Sequence, residues 1–213
     1  MITTEVEARN WIATLPQWNE TARERLDTLI ALLREENTRQ NLVAVASLDH
    51  VWQRHIADSA QLLPYVPRET PGTWLDLGTG AGFPGLVIAA LCPEREVVMV
   101  ESRARRIDWL ERARAALGLD RARIEGARLE LVESFPAAVI SARAFAPLVK
   151  LVPLSARFST SDTIWLLPKG QSARDELASL RGWQHLFHVE QSLTDPDAGV
   201  IVGTLKRKAG KRT

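Results

Sequence analysis

The chain has 213 residues, 46% of them apolar and 25% charged, with a formal net charge of +1. These values exclude a disordered chain, and so small a net charge excludes a protein that coats nucleic acid indiscriminately, while leaving room for one that docks at a single RNA site. The lone cysteine, Cys92, excludes an internal disulfide and a cysteine-based zinc cluster, and no apolar run approaches the roughly 20 residues of a membrane helix.

The first segment, MITTEVEARNWIATL, carries acids and lacks a basic region followed by an apolar one. A cytoplasmic protein with no membrane partner is therefore expected. Residues 1–63 read as helical. Leu26, Leu29, Ile30, Leu32 and Leu33 follow a cap candidate at Thr21, and a stripe of Leu48, Val51, Trp52, His55, Ile56, Ser59, Leu62 and Leu63 predicts a second helix after Ser47. Pro64, Pro67, Pro71 and Gly72 break the pattern, which sets apart an N-terminal helical cap over residues 1–70.

Strands and helices then alternate. Strands are expected at 73–77, 96–101, 122–127, 137–142 and 163–167. Helices are expected from 85, from Arg103 to about Leu117 with Gly118 as the stop, around 147–157, and near 172–180. A sixth strand is expected over 183–193, a turn at DPDAG (195–199), and a seventh strand over 200–206. This order predicts an α/β, Rossmann-like fold over 71–206: a seven-stranded, mostly parallel sheet with helices on both faces and its last strand antiparallel. A basic tail covers 207–213; the stretch KRKAGKRT from 206 holds five cations in eight residues.

Ligands of such sheets sit at the carboxyl ends of the strands, so the loop in LDLGTGAGFPG (75–85) is the prime site. Gly80, Gly82 and Gly85 fit a dinucleotide fingerprint. Asp76, Gly78, Gly80 and Gly82 fit the acid-x-G-x-G-x-G form of enzymes that use S-adenosylmethionine (SAM). Asp76 would repel a pyrophosphate but suits the sulfonium and ammonium of SAM, or it could mainly hold the glycine loop by accepting from its N–H groups, and Pro84 removes an N–H that phosphate would need. Glu101, at the end of the second predicted strand, is placed to accept from both ribose hydroxyls.

Methyl transfer requires nucleophile and methyl to be aligned at roughly 3 Å. The segment SARAFAP (141–147) after the fourth strand has neither the Asn/Asp-Pro-Pro-aromatic turn used on exocyclic amines nor the cysteine used on pyrimidine carbons. A ring nitrogen such as guanine N7 has a lone pair and no proton to lose, so no general base is expected. Arg143 could contact a phosphate, the guanine edge or the SAM carboxylate, and Phe145 could stack on a flipped base.

DLGTGAGFPG, SARAF and PKG (168–170), with QNLVAV (40–45) and RHIADS (54–59), closely resemble the RsmG/GidB family of bacterial small-subunit rRNA guanine-N7 methyltransferases, over about residues 20–206. The resemblance implies a class I SAM-dependent fold that methylates N7 of one guanine of 16S rRNA, in a hairpin loop near the decoding centre. The substrate would be 16S rRNA, the 30S subunit or an assembly intermediate. The resemblance also puts Gly78, Phe83, Leu129, Glu130 and Arg143 in the cofactor pocket. Two other readings compete with it: a small-molecule methyltransferase, and a non-catalytic RNA-binding module on a SAM fold.

His55, with Asp58 three residues on, lacks the further ligands of a metal site and reads as a buried histidine or a wall of the target-base pocket. Asn41 reads as a turn residue or a substrate contact, and Lys169 as an RNA phosphate contact or a solvated lysine. Arg103, Arg105, Arg106, Arg112 and Arg114 stud one predicted helix, where Asp108 and Arg112 can pair. A monomer is expected.

Overall fold

A computed structural model describes residues 1–208, with side chains described to Lys206. Arg207 and Lys208 continue the last strand, and the rest of the predicted tail, 209–213, lies outside the described residues.

Two helices open the chain. α1 (Glu5–Ile12) starts from a capping box in which Thr4 and Glu7 satisfy each other's backbone N–H groups. α2 (Glu20–Asn37) is capped by Asn19, whose side chain accepts from Ala22 N, rather than by Thr21. The predicted second helix after Ser47 is not a regular α-helix. A 3₁₀ turn at Val45–Leu48 leads to a π-helical stretch, Trp52–Ala57, that passes into the single turn α3 (Asp58–Ala60). The wider π turn puts His55 and Asp58 on the same side, facing the end of the sheet.

The sheet follows the alternation read from sequence. β1 (Trp74–Leu77), β2 (Val97–Val100), β3 (Ala122–Glu125), β4 (Ala137–Ser141) and β5 (Ser159–Lys169) are parallel. Between them run α4 (Gly85–Leu91), α5 (Ala104–Ala116) and α6 (Leu148–Ser155), and α7 (Ala173–Ser179) follows β5. The expected sixth strand is split into β6 (Trp183–His185) and β7 (His188–Gln191), and both pair antiparallel with β8 (Gly199–Lys208). The strand therefore breaks at Leu186–Phe187, where Gly203 of β8 comes so close to the Leu186 carbonyl that no Cβ fits. Among the described residues the sheet has eight strands, in the order β3-β2-β1-β4-β5-β8-β6 with β7 also on β8, and β8 runs antiparallel to its neighbours.

Both faces of the sheet are covered, so its strands bury both sets of alternating side chains. Leu75, Leu77, Val98 and Val100 face one cluster with α6. Trp74, Val97 and Met99 face the other, with α4 and α5. Leu26, Leu29 and Leu33 of α2 and Trp52 and Ile56 of the π turn belong to that second cluster as well. The N-terminal helices thus share their core with one face of the sheet.

Polar ties fix the docking. Glu36, almost fully buried, pairs with Arg112 of α5 at 2.8 Å, which replaces the Asp108–Arg112 pair expected within that helix. Asn37 accepts from the N–H groups of Leu42 (2.9 Å) and Val43 (3.0 Å) and so turns the chain after α2. Asn37→Ala leaves the Val43 N–H without an acceptor and the Leu42 N–H with Gln40 O alone. It is expected to cost about 1–2 kcal/mol in urea unfolding with the m-value unchanged.

Candidate active site

The glycine loop joins β1 to α4 at the carboxyl end of the sheet. Gly78, Gly80 and Gly82 have φ of 61°, 58° and 98°, a backbone region that residues with a Cβ rarely occupy. Gly78 and Gly85 also have no space for a side chain. A Cβ at Gly78 would overlap the Phe145 ring, and one at Gly85 would lie 2.6 Å from Met99 Cγ and 2.9 Å from Asp76 Oδ2.

Two buried carboxylates hold the loop. Asp76 has no exposed surface. Its Oδ2 accepts from Gly85 N at 3.1 Å and its Oδ1 from the Ser141 hydroxyl at 2.7 Å, and that hydroxyl in turn accepts from Trp74 Nε1 at 2.9 Å. Burial pushes the Asp76 carboxyl up to about 6, against the hydrogen bonds it accepts. Glu101 accepts from Gly80 N (3.1 Å), Ser102 N (2.7 Å) and Arg103 N (2.9 Å), with Arg106 at 4.0 Å. Thr79 N donates to Val100 O, and Gly82 N and Phe83 N to Thr79 O.

Asp76, expected either as a cofactor contact or as a holder of the glycine loop, is sealed beneath the loop and here fixes its backbone. The case against a pyrophosphate changes with it. The loop's N–H groups are already engaged by protein carboxylates and carbonyls, so few remain to cradle a phosphate. Gly80 and Gly82 likewise shape the loop: Arg106 lies over Gly80, and Leu86 fills the space at Gly82.

Two cavities open at this end. The smaller, about 360 Å³, is lined by Gly78, Glu101, Leu129, Glu130, Arg106 and Phe145, among others. It gathers four of the predicted cofactor residues. Leu129 is buried there and its carbonyl accepts from Arg157, while Glu130 is exposed at the rim. The larger cavity, about 720 Å³, is bounded by Arg54, His55, Asp58, Arg143, Phe145 and Lys169, with parts of β8 and α7. Only Ala144 and Phe145 line both.

Arg143, which the resemblance puts with the cofactor, lines the larger cavity instead. It pairs with Asp58 at 3.0 Å and donates to Arg54 O at 3.2 Å. The second guanidinium nitrogen points at His55 Nδ1 at 3.3 Å, and the group lies 5.1 Å from the Phe83 ring centre. Phe83 is 2% exposed and stacks on His55 with ring centres 5.0 Å apart, so its ring is the floor under Arg143 rather than a lining of the smaller cavity. Ser47 Oγ donates to Ala44 O at 2.6 Å and therefore accepts from His55 Nε2 at 2.8 Å. The imidazole is thus the neutral Nε2–H tautomer, with Nδ1 free to accept from Arg143. Burial, then Arg143 and Arg54, push its pKa down to about 3.

Lys169 is not a free phosphate contact. Its side chain is 8% exposed, donates to Ala146 O at 2.7 Å and pairs with Glu176 at 2.9 Å. Asn41 is exposed and lines neither cavity, and the turn role expected of it belongs to Asn37. Of the arginines on α5, Arg106, Arg112 and Arg114 have acidic partners. Arg103, Arg105 and, beyond β3, Arg128 have no side-chain partner among the described residues, and Arg103 and Arg128 rim the smaller cavity. Sequence reasoning missed Asn37 and Ser141, and the parts Asp58 and Arg106 play. Ser141 could have been found from its place at the end of the strand beside β1, level with Asp76.

Comparisons with known proteins identify the family. The family model GidB, rRNA small subunit methyltransferase G, matches residues 22–194. The chain is 57% identical over 209 residues to the ribosomal RNA small subunit methyltransferase G of Erythrobacter litoralis, covering 98% of this chain and 100% of that protein. It is 58% identical over 214 residues to that of Novosphingobium aromaticivorans, covering 99% and 92%. In fold it is similar to an RNA methyltransferase from Salinibacter ruber in complex with S-adenosyl-L-homocysteine, with TM-score 0.55 and 14% identity over 72% of this chain and 93% of that one. It is also similar to a mutant of MtNAS in complex with S-adenosylmethionine, with TM-score 0.59 and 11% identity over 95% and 77%. Those two likenesses speak to the class I fold alone, but the relatives and the family model decide the matter: the chain belongs to the GidB family of rRNA small subunit methyltransferases.

Proposed function

We propose that the protein transfers a methyl group from SAM to N7 of a guanine in 16S rRNA, presented in a hairpin loop near the decoding centre of the small subunit. The smaller cavity suits the donor. Glu101 would accept from the ribose hydroxyls with lone pairs its three backbone partners leave free, Leu129 and Val100 would pack on the adenine, and Gly78 offers bare backbone. SAM, when bound, supplies an electrophilic methyl carbon on a sulfonium.

The larger cavity suits the nucleotide, and its chemistry carries the proposal. Every carboxylate lining it is already in an ion pair: Asp58 with Arg143, Asp195 with Arg54, and Glu176 with Lys169. The imidazole lone pair of His55 is directed at Arg143. Among the described residues that line it, each of these groups already faces a cation, an arrangement that suits an acceptor atom with no proton to lose. Catalysis then comes from alignment. Arg143, held on three sides, is a fixed donor toward a phosphate or base, and residues 1–70 act as a helical cap over the SAM-binding domain of residues 71–206. Arg103, Arg105 and Arg128 supply phosphate contacts beside the smaller cavity. We take a monomer acting on the 30S subunit or an assembly intermediate in the cytoplasm as the working unit.

The direct test mixes the protein, labelled SAM and small subunits from a strain lacking the enzyme, then maps the labelled base. Label on guanine N7 is expected, and label on an adenine or pyrimidine would refute the assignment. Gly78→Asp is expected to abolish S-adenosylhomocysteine binding in calorimetry while the circular dichroism spectrum stays native. Replacing Arg103, Arg105 and Arg128 by Ala is expected to lower the slope of log binding constant against log salt by about 1 per arginine removed, with cofactor affinity changed much less.

The neutral imidazole links stability to pH. The folded pKa of His55, about 3, lies below the ordinary 6.5. Its stabilisation is therefore full above 6.5 and is lost as pH falls toward 3. Asp76 acts in the opposite sense, since a carboxyl raised from 3.8 to about 6 loses stability as pH climbs through that window. Comparing wild type with His55→Asn cancels the Asp76 contribution. Between about pH 7.5 and about pH 5.5, wild type is expected to lose about 1–1.5 kcal/mol more unfolding free energy than the variant, measured by urea titration.

A further inference from the structure

We propose that Phe145 is a gate between the two cavities, closed in this structure, and that opening it is a condition for binding the methyl donor. This rests on the reading that the smaller cavity takes the donor and the larger one the nucleotide. Transfer needs the two reactants in contact at roughly 3 Å. Yet Ala144 and Phe145 stand between the cavities as the only residues common to both linings. The Phe145 ring lies directly on the Gly78 backbone, so closely that a Cβ at Gly78 would overlap it. It therefore covers the first glycine of the loop proposed to seat the donor.

The segment is built to move without disturbing its flanks. Upstream, Arg143 is fixed by Asp58, His55 and Arg54 O. Downstream, Ala146 O accepts from Lys169, and Leu148 N donates to Glu176 at 2.7 Å. Among the described residues neither Ala144 nor Phe145 makes a hydrogen bond. Ala144 is, besides, the one non-glycine residue described with positive φ, at 52°. A left-handed alanine is strained, so the closed position is disfavoured by the backbone and retained by packing of the ring. Lys169, Glu176 and Asp58 are then positioning residues whose ion pairs pin the two ends of the gate.

The test is calorimetric titration of S-adenosylhomocysteine into wild type, Phe145→Ala and Ala144→Gly. Removing the ring removes what the ligand must displace, so Phe145→Ala is expected to bind roughly tenfold more tightly than wild type. Glycine relieves the left-handed strain and favours the closed position, so Ala144→Gly is expected to bind roughly fivefold or more weakly. A Phe145→Ala variant that is native by circular dichroism but binds equally or more weakly would overturn the gate, since a ring that stacks on the ligand gives that result. An Ala144→Gly variant that binds as tightly as wild type would overturn it independently. Failure of wild type itself to bind would instead refute the donor reading on which the gate depends. In steady-state assays with small subunits, Phe145→Ala is expected to lower KM for SAM; a fall in kcat alone would assign the ring to the nucleotide.

Discussion

The organising constraint of this molecule is the capture of a glycine loop by two acids. Asp76 and Glu101 end neighbouring parallel strands, and between them they accept from Gly85 and Gly80. A loop of residues in left-handed conformations has little intrinsic preference for one shape. The carboxylates supply that preference and spend the loop's donors in doing so. A loop whose N–H groups are spent in this way has few left for a pyrophosphate. The burial that raises the Asp76 carboxyl is part of the same arrangement, since both its oxygens are turned inward to the Ser141 hydroxyl and the loop.

A second polar system is organised around Arg143. It draws on the π turn for Asp58 and His55, on Phe83 for a flat floor, and on Ser47 for the tautomer of the imidazole. The Phe83 ring connects the two systems, because its backbone belongs to the glycine loop while its face meets His55 and Arg143. The glycine loop and the larger cavity are therefore parts of one packed unit, and neither can be reshaped without the other.

Much of the fold could be read from sequence because periodicity and turn chemistry report it directly. The five parallel strands, α4, α5 and the stop at Gly118 all follow from runs of apolar residues and glycine placement. The π turn was illegible, since Trp52, His55, Ile56 and Ser59 form an apolar stripe at either helical pitch. The break between β6 and β7 was also hidden, because its cause is Gly203 on another strand. Site residues divide in the same way. Glycines and strand-end acids announce themselves locally. The roles of Lys169, Asp58 and Asn37 depend on partners brought by the fold from other elements, and the strained Ala144 carries no local signal at all. Asp76 is the instructive case: its place at the strand end was legible, but its complete burial depends on the tertiary packing around it, including the Ser141 hydroxyl and the Gly85 backbone.

The shared core of α2, the π turn and the sheet sets a limit on how such an enzyme can diversify. Where a recognition element folds alone, recombination can move it like a cassette from one catalytic unit to another. Here Leu26, Leu29, Leu33 and Trp52 are interior residues of the catalytic unit itself. Exchange of residues 1–70 would uncover the outer sides of α4 and α5 and open the core they share with the sheet, so this segment can change by substitution at its surface more readily than by wholesale replacement.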